Sequence, residues 1–226
     1  MLAGMLAGCA PHRLPPGDLS ADEEKLLGDR LAAAVLATED VVTDADVAAA
    51  LGELARGCGA GEVSWHLVRL EQPVLLDLPG GHVILSTGLI SAARDDAHLA
   101  ALLAHGAAHA GRRHATLRLL RTHGSAKLNA MARGESDAAF SALAANAAAG
   151  GVLLRHGLAT EKEADDVVVA AGCEAGAVAT AVSGAAERGL SSQRLVAEHP
   201  QESPWPRSAA GATDEIERLR RRLGLP

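Results

Sequence analysis

The sequence predicts an α+β fold, mainly helical, with a small β-sheet beside a long histidine-bearing helix. Three observations predict it. Two capped segments with apolar residues at helical spacing come first, a Val/Leu/Ile-rich stretch with partial alternation follows, and helical patterns run from Ser91 almost to the end. A chain of 226 residues can bury one full core. No repeat and no long internal linker divides it, so the expected organisation is a tether over 1–19 and one folded domain over 20–226.

The composition narrows what the domain can do. Hydrophobic residues make up 48% of the chain but aromatics only 1%, so the core must be built from Leu, Val and Ala. The 21 Lys and Arg against 28 Asp and Glu leave a formal charge of −7, which argues against a nucleic-acid partner and against whole-surface attraction to anionic membrane. The basic "RLRRRLGLP" at the end reads as the solvated face of a last helix. No apolar run is long enough to span a bilayer with conviction. The nearest, "AAFSALAANAAAGGVLL" at 138–154, contains Ser141 and Asn146 and reads as a packed internal helix.

Taken in order, the first element is "MLAGMLAGC", whose Leu6-Ala7-Gly8-Cys9 resembles a bacterial lipobox just before a polar, proline-containing tether. The resemblance implies cleavage before Cys9, lipid on Cys9, and residence on the periplasmic side of the bacterial cell envelope, held by a lipid anchor rather than a membrane-spanning helix. A frayed apolar N-terminus is the competing reading. In an oxidising compartment Cys58 and Cys173 are able to pair, which their spacing does not decide.

"LSADEEKLLGDRLAAAVL" puts Ser20 three residues before Glu23, a capping box that starts a first helix. "TDADVAAALGELARGC" starts a second at Thr43 or Asp44 and stops it near Gly57. "EVSWHLVRLEQPVLLDLPGGHVILSTGLI" is broken at Pro73 and at Pro79-Gly80-Gly81, giving two or three strands joined by tight turns. "LAALLAHGAAHAGRRHATLRLL" then reads as one long helix, followed by an alanine-rich stretch to Leu158, by "TEKEADDVVVAAGCEAGAVATAVSGAAERG" as one or two helices, by the loop "EHPQESPWPRSAAG" and by a last helix, "TDEIERLRRRLG".

His105 and His109 are four apart, so both imidazoles reach one ion from one helical face. Taken alone the pair is a weak signal, and an ordinary helix with two histidines explains it better. Catalytic zinc takes three protein ligands and keeps one open position. Glu161 and Asp165, also four apart, offer one carboxylate for the metal and another to accept the N–H of a ligating imidazole. Without the histidines, the same carboxylates read as a charged turn facing water.

The ordered set "LPGGHVILSTGLI", "LAALLAHGAAHAGRRH", "EKEAD", "AGCEAGAVAT" around Cys173 and "EHP…R" resembles the zinc metallopeptidase family of HtpX, the CAAX prenyl endopeptidases and the periplasmic β-barrel-assembly-enhancing proteases. It covers nearly the whole chain from Ser20. The resemblance implies a zincin-like (gluzincin) domain with one zinc per chain, acting on unfolded or extended polypeptide. It assigns the metal to His105, His109 and Glu161, with Asp165 orienting a histidine ligand. Pro79, Gly80, Gly81 and His82 lead into the strand expected to line the cleft and pair with substrate. His199 and Arg207 match a late element close to the metal.

One departure bears on chemistry. Gly106 stands where the family has the glutamate that moves the proton, and general acid–base help is typically worth ~10²–10⁴-fold. Glycine there also costs about 1 kcal/mol against alanine inside a helix. Val74, His98, Gly157-Leu158 and Cys173 depart as well. His114 is a poor replacement base, because it lies more than two turns from His105 on the same expected helix and many active relatives carry histidine there as well. Three readings stay open. The chain is a disabled zinc peptidase (pseudoenzyme) binding unfolded polypeptide in envelope protein quality control, an active zinc endopeptidase using another base such as His199, or a metal-free partner-binding domain.

Overall fold

A computed structural model describes residues 19–58, 60–93, 95–148, 156–170 and 215–226. Cys9, Cys173, His199 and Arg207 lie outside these residues. The helices described are α1 (Ala21–Leu36), α2 (Ala45–Gly57), α3 (Thr87–Ala92), α4 (Asp96–Gly111), α5 (His114–His123), α6 (Ser125–Arg133), α7 (Asp137–Ala148), α8 (Leu158–Ala170) and α9 (Glu215–Leu223). The strands are β1 (Ser64–Val68), β2 (Leu75–Leu78) and β3 (His82–Ser86). This is the mainly helical α+β arrangement that the sequence predicts, with one small mixed sheet.

The starts of the first two helices follow from their caps. Ser20 Oγ accepts from Glu23 N at 3.2 Å while Glu23 Oε2 accepts from Ser20 N at 2.9 Å, closing the capping box. Asp44 Oδ1 accepts from Asp46 N and Val47 N at 3.1 and 3.2 Å. Leu27, Leu31 and Val35 then form the buried stripe of α1, and Val47, Leu51 and Ala55 that of α2.

The sheet has the order β1-β3-β2, with β3 parallel to β1 and antiparallel to β2. Two apolar clusters flank it. Leu67 and Leu85 face the cluster that holds α2 and much of α4, whereas Val68, Ile84 and Leu78 face the cluster of α1, α5, α6 and α7. The central position of β3 overturns one expectation. The strand after the Pro79-Gly80-Gly81 turn is already paired on both sides and has no edge to offer a peptide. Among the described residues β1 and β2 both have a strand on one side only, and the outer side of β1 carries a single isolated bridge from Val41 to Val68. The turn itself is committed to α1: Gly80 adopts φ +73°, and a Cβ on Gly28 would sit 2.0 Å from the Pro79 carbonyl oxygen. His82 is buried, facing Asp29 Oδ1 through Nε2 and His66 Nε2 through Nδ1, both at 2.9 Å.

Three further boundaries differ from the sequence reading. β3 ends at Ser86, whose Oγ caps α3 by accepting from Leu89 N at 3.1 Å, so helix begins before Ser91. The expected long helix through Leu120 is two helices, because Arg113 adopts a left-handed conformation at φ +59°. Its guanidinium donates to the buried carboxylate of Glu24, which also accepts from Thr116 Oγ1 at 2.6 Å. The ion pair with α1 pins the bend and turns His114 back toward α4. Finally, α7 lies on the surface with only Leu143 and Ala147 buried, and Phe140 lies under the Arg30 guanidinium at 4.3 Å. It is therefore not the internal helix expected.

The C-terminal arginines are fasteners. Arg220 donates to the carbonyls of Ser91 and Ala93 at 3.0 and 2.6 Å, Arg222 donates to Asp44 at 2.6 Å, and Asp96 caps α9 by accepting from Glu215 N and Ile216 N at 2.9 and 2.7 Å. No helix among the described residues is long and apolar enough to cross a membrane.

Candidate metal centre

α4 carries the candidate site because it is buried along most of its length, from Leu99 to Ala110, between the sheet and α8. His105 and His109 are one turn apart on it, both buried, with their Nε2 atoms 2.9 Å from each other. α8 brings Glu161 against them: its Oε2 lies 3.2 Å from His105 Nε2 and 3.6 Å from His109 Nε2. Ligand atoms around a tetrahedral zinc with bonds of 2.0–2.1 Å stand about 3.3 Å apart. The three separations bracket that value, so the trio fits one such ion. Asp165, one turn further on α8, puts Oδ1 3.1 Å from His105 Nδ1, on the side of the ring away from the ligand atom. An acceptor there keeps the proton on Nδ1 and leaves Nε2 free to bind metal.

The electrostatics of these side chains favour a cation. Burial alone would lower the pKa of His105, but hydrogen bonds to Asp165 and Glu161 outweigh it and hold the ring up at about 9. Burial, reinforced by the neighbouring His105 charge, drives His109 down to about 4. Burial would raise Glu161, yet its hydrogen bonds with His105 and His109 hold it well below the usual carboxylate range. Without metal, a proton on His105 thus supplies the positive charge that two carboxylates demand.

On the neighbouring face of α4, at Gly106, the surroundings are hydrocarbon. Gly106 faces β2, and a Cβ built on it would meet Leu75 Cδ1 and Cδ2 at 3.1 Å and Cγ at 3.2 Å. Leu75 fills the space that a side chain at 106 would enter.

The profile of peptidase family M48 matches residues 42–204, a span that contains the sheet, α4 and α8. The chain belongs to peptidase family M48. Family M48 consists of metallopeptidases, so the zincin-like architecture and a polypeptide substrate class follow for this M48 domain. A search of curated proteins finds none that matches the chain.

Sequence reasoning missed two residues next to this site and misplaced a third. His114, expected on one continuous helix more than two turns from His105, has its Nδ1 2.9 Å from His109 Nδ1 because of the Arg113 bend. His156 stacks on His109, with centroids 3.9 Å apart and planes at 18°. Asp77, buried on β2, accepts from His156 at 2.6 Å, and burial, which would raise its carboxyl, is outweighed by that partner, which lowers it. Only alternation along β2, which puts Leu75 and Asp77 on one face, signalled Asp77. The nitrogens of His109, His114 and His156 lie within 4.8 Å of one another. They do not form a second ion site as they stand. An ion on His109 Nδ1 lies in the plane of that ring and therefore one stacking distance from the plane of His156.

Proposed function

We propose that this M48 domain holds one zinc ion through His105, His109 and Glu161 but is a disabled peptidase that binds extended polypeptide. The observation that carries the reading is the contrast between two neighbouring faces of α4. A ligand triangle with a supporting Asp165 stands on one face, and on the next a glycine is covered by Leu75. Zinc, when bound, polarises a carbonyl and its bound water. The residues of the chain then divide the remaining work. Asp165 orients His105, Glu161 neutralises charge, and no carboxylate at 106 handles the proton.

Extended polypeptide is the ligand class because the substrates of this family are polypeptides and β2, among the described residues, has no strand on its outer side close to the site. The lipobox-like Leu6-Ala7-Gly8-Cys9 supports a lipid anchor at Cys9 and a setting in the bacterial envelope, where binding without cleavage suits protein quality control.

The test joins zinc content to cleavage of an unfolded protein. The natural sequence should carry about one zinc per chain, lost in His105→Ala, with no chelator-sensitive cleavage. Cleavage should emerge only when Gly106→Glu is combined with Leu75→Ala, which vacates the space for the new carboxylate. Chelator-sensitive cleavage by the natural sequence would overturn the disabled reading, and absence of zinc would overturn the metal.

A further inference from the structure

His109 is the metal-ligand candidate whose second nitrogen faces another histidine instead of a carboxylate. We infer that His114 is the positioning residue of His109, fixing its tautomer and raising its basicity through a directed chain that ends on Glu163. The inference deepens the proposed zinc reading and rests on it.

The argument is one of donors and acceptors. A neutral imidazole has one N–H and one lone pair. If His109 Nε2 gives its lone pair to the ion, the ring proton must be on Nδ1. That nitrogen lies 2.9 Å from His114 Nδ1, so His109 Nδ1–H donates and His114 Nδ1 accepts. His114 is thereby forced to carry its own proton on Nε2, the nitrogen that lies 3.4 Å from Glu163 Oε2. The opposite assignment would set two N–H groups against each other. Each step therefore follows from the one before, and the polarity of the chain runs from the ion outward to a half-exposed carboxylate.

The surroundings hold the chain in this geometry. His114 is the first residue of α5, and its backbone is fixed by the Arg113 bend, which Glu24 of α1 locks. His156, tethered by Asp77, covers the face of the His109 ring. His105 has the corresponding support from Asp165. Both imidazole ligands are then oriented through their far nitrogens, one by a carboxylate directly and one by a carboxylate through an intervening ring.

The experiment compares zinc affinity in the full chain for the natural sequence, His114→Asn and His114→Leu, using zinc alone in competition with a chromophoric chelator. Asparagine keeps an acceptor near the Nδ1 position, and leucine removes it. Loss of an outer partner of a ligand typically costs 10–100-fold in metal affinity. Leucine should lose about that much and asparagine should recover most of it, at matched melting temperatures in chelator. Equal affinity for all three overturns the inference, as does an equal fall in both variants.

A readout on the natural protein needs no substitution. Nitrogen–proton correlation spectra of the zinc-loaded protein should show His109 protonated on Nδ1 and His114 on Nε2. A His114 proton on Nδ1 would sink the inference while the zinc reading stands. If the natural sequence binds no zinc at all, the metal reading fails first and takes this one with it.

Discussion

The two flanks of α4 are built from opposite materials. Toward α8 the helix presents His105 and His109 to Glu161 and Asp165, four polar groups whose charges and hydrogen bonds are matched in a buried setting. Toward β2 it presents bare backbone at Gly106 to the methyl groups of Leu75. A buried carboxylate without partners is costly, so a charged cluster persists in a core only where its members complement each other. The α8 flank meets that condition, while at Gly106 the β2 flank offers only hydrocarbon, its one buried carboxylate, Asp77, being paired with His156. Under the proposed reading, holding an ion and moving a proton are separable tasks that fall to neighbouring faces of a single helix.

The largest effect should come from breaking the polar flank. Glu161→Ala removes one ligand and leaves His105 with half of its carboxylate support, so zinc binding should fall below detection in a competition titration. Zinc at 1,000 times its dissociation constant stabilises a native state by about 4 kcal/mol. The melting temperature of the natural sequence should drop accordingly on chelation, and that of Glu161→Ala should not respond. Identical chelator responses would mean that both flanks are equally without function.

A smaller effect should follow from crowding the hydrocarbon flank. Gly106→Glu gains helix propensity, Glu standing near the favourable end of a scale on which glycine loses about 1 kcal/mol. It must also push Leu75 aside, and overpacking typically costs about 1–3 kcal/mol. Net destabilisation is expected for Gly106→Glu alone. Combined with Leu75→Ala, the overpacking should disappear, giving a coupling of about 0.5–3 kcal/mol in a four-corner urea-denaturation cycle. Additive effects would show that Leu75 yields without resistance and that the flank is open to a side chain.

How much of this was legible in the sequence follows the same division. His105, His109, Glu161 and Asp165 are related by helical spacing within α4 and within α8, which a sequence states directly. Helix starts at Ser20 and Asp44 were legible because the caps are local. The order of the strands was not, because β3 is central by virtue of pairing with residues eighteen positions upstream, and nothing local announces that. The Arg113 bend was illegible for a related reason. Arginine rarely adopts positive φ, and here a buried glutamate 89 residues earlier holds it there. His114, His156 and Asp77 come together only once that bend and the sheet order are known. Leu75 against Gly106 likewise joins a strand to a helix across the core.

The smallest effect separates a proton from a metal ion on the polar flank. In the metal-free protein His105 has a pKa of about 9, above the roughly 6.5 of an unfolded histidine. Its contribution to stability is therefore fully present below about pH 6.5 and is lost as the pH rises through 9. His109 works in the other direction. Held at about 4, it contributes stability above about pH 6.5 that is lost as the pH falls toward 4, so it adds no slope on the alkaline side. In chelator, the melting temperature should accordingly decline between pH 7 and 9. Zinc must displace the His105 charge to bind, and that competition weakens as the pH rises, so the stabilisation by zinc should widen over the same range. Asp165→Asn should flatten the slope in chelator, because one of the two carboxylates that retain the proton is gone. A chelated protein whose melting temperature stays level from pH 7 to 9 would mean that His105 is not the group charged in the absence of metal.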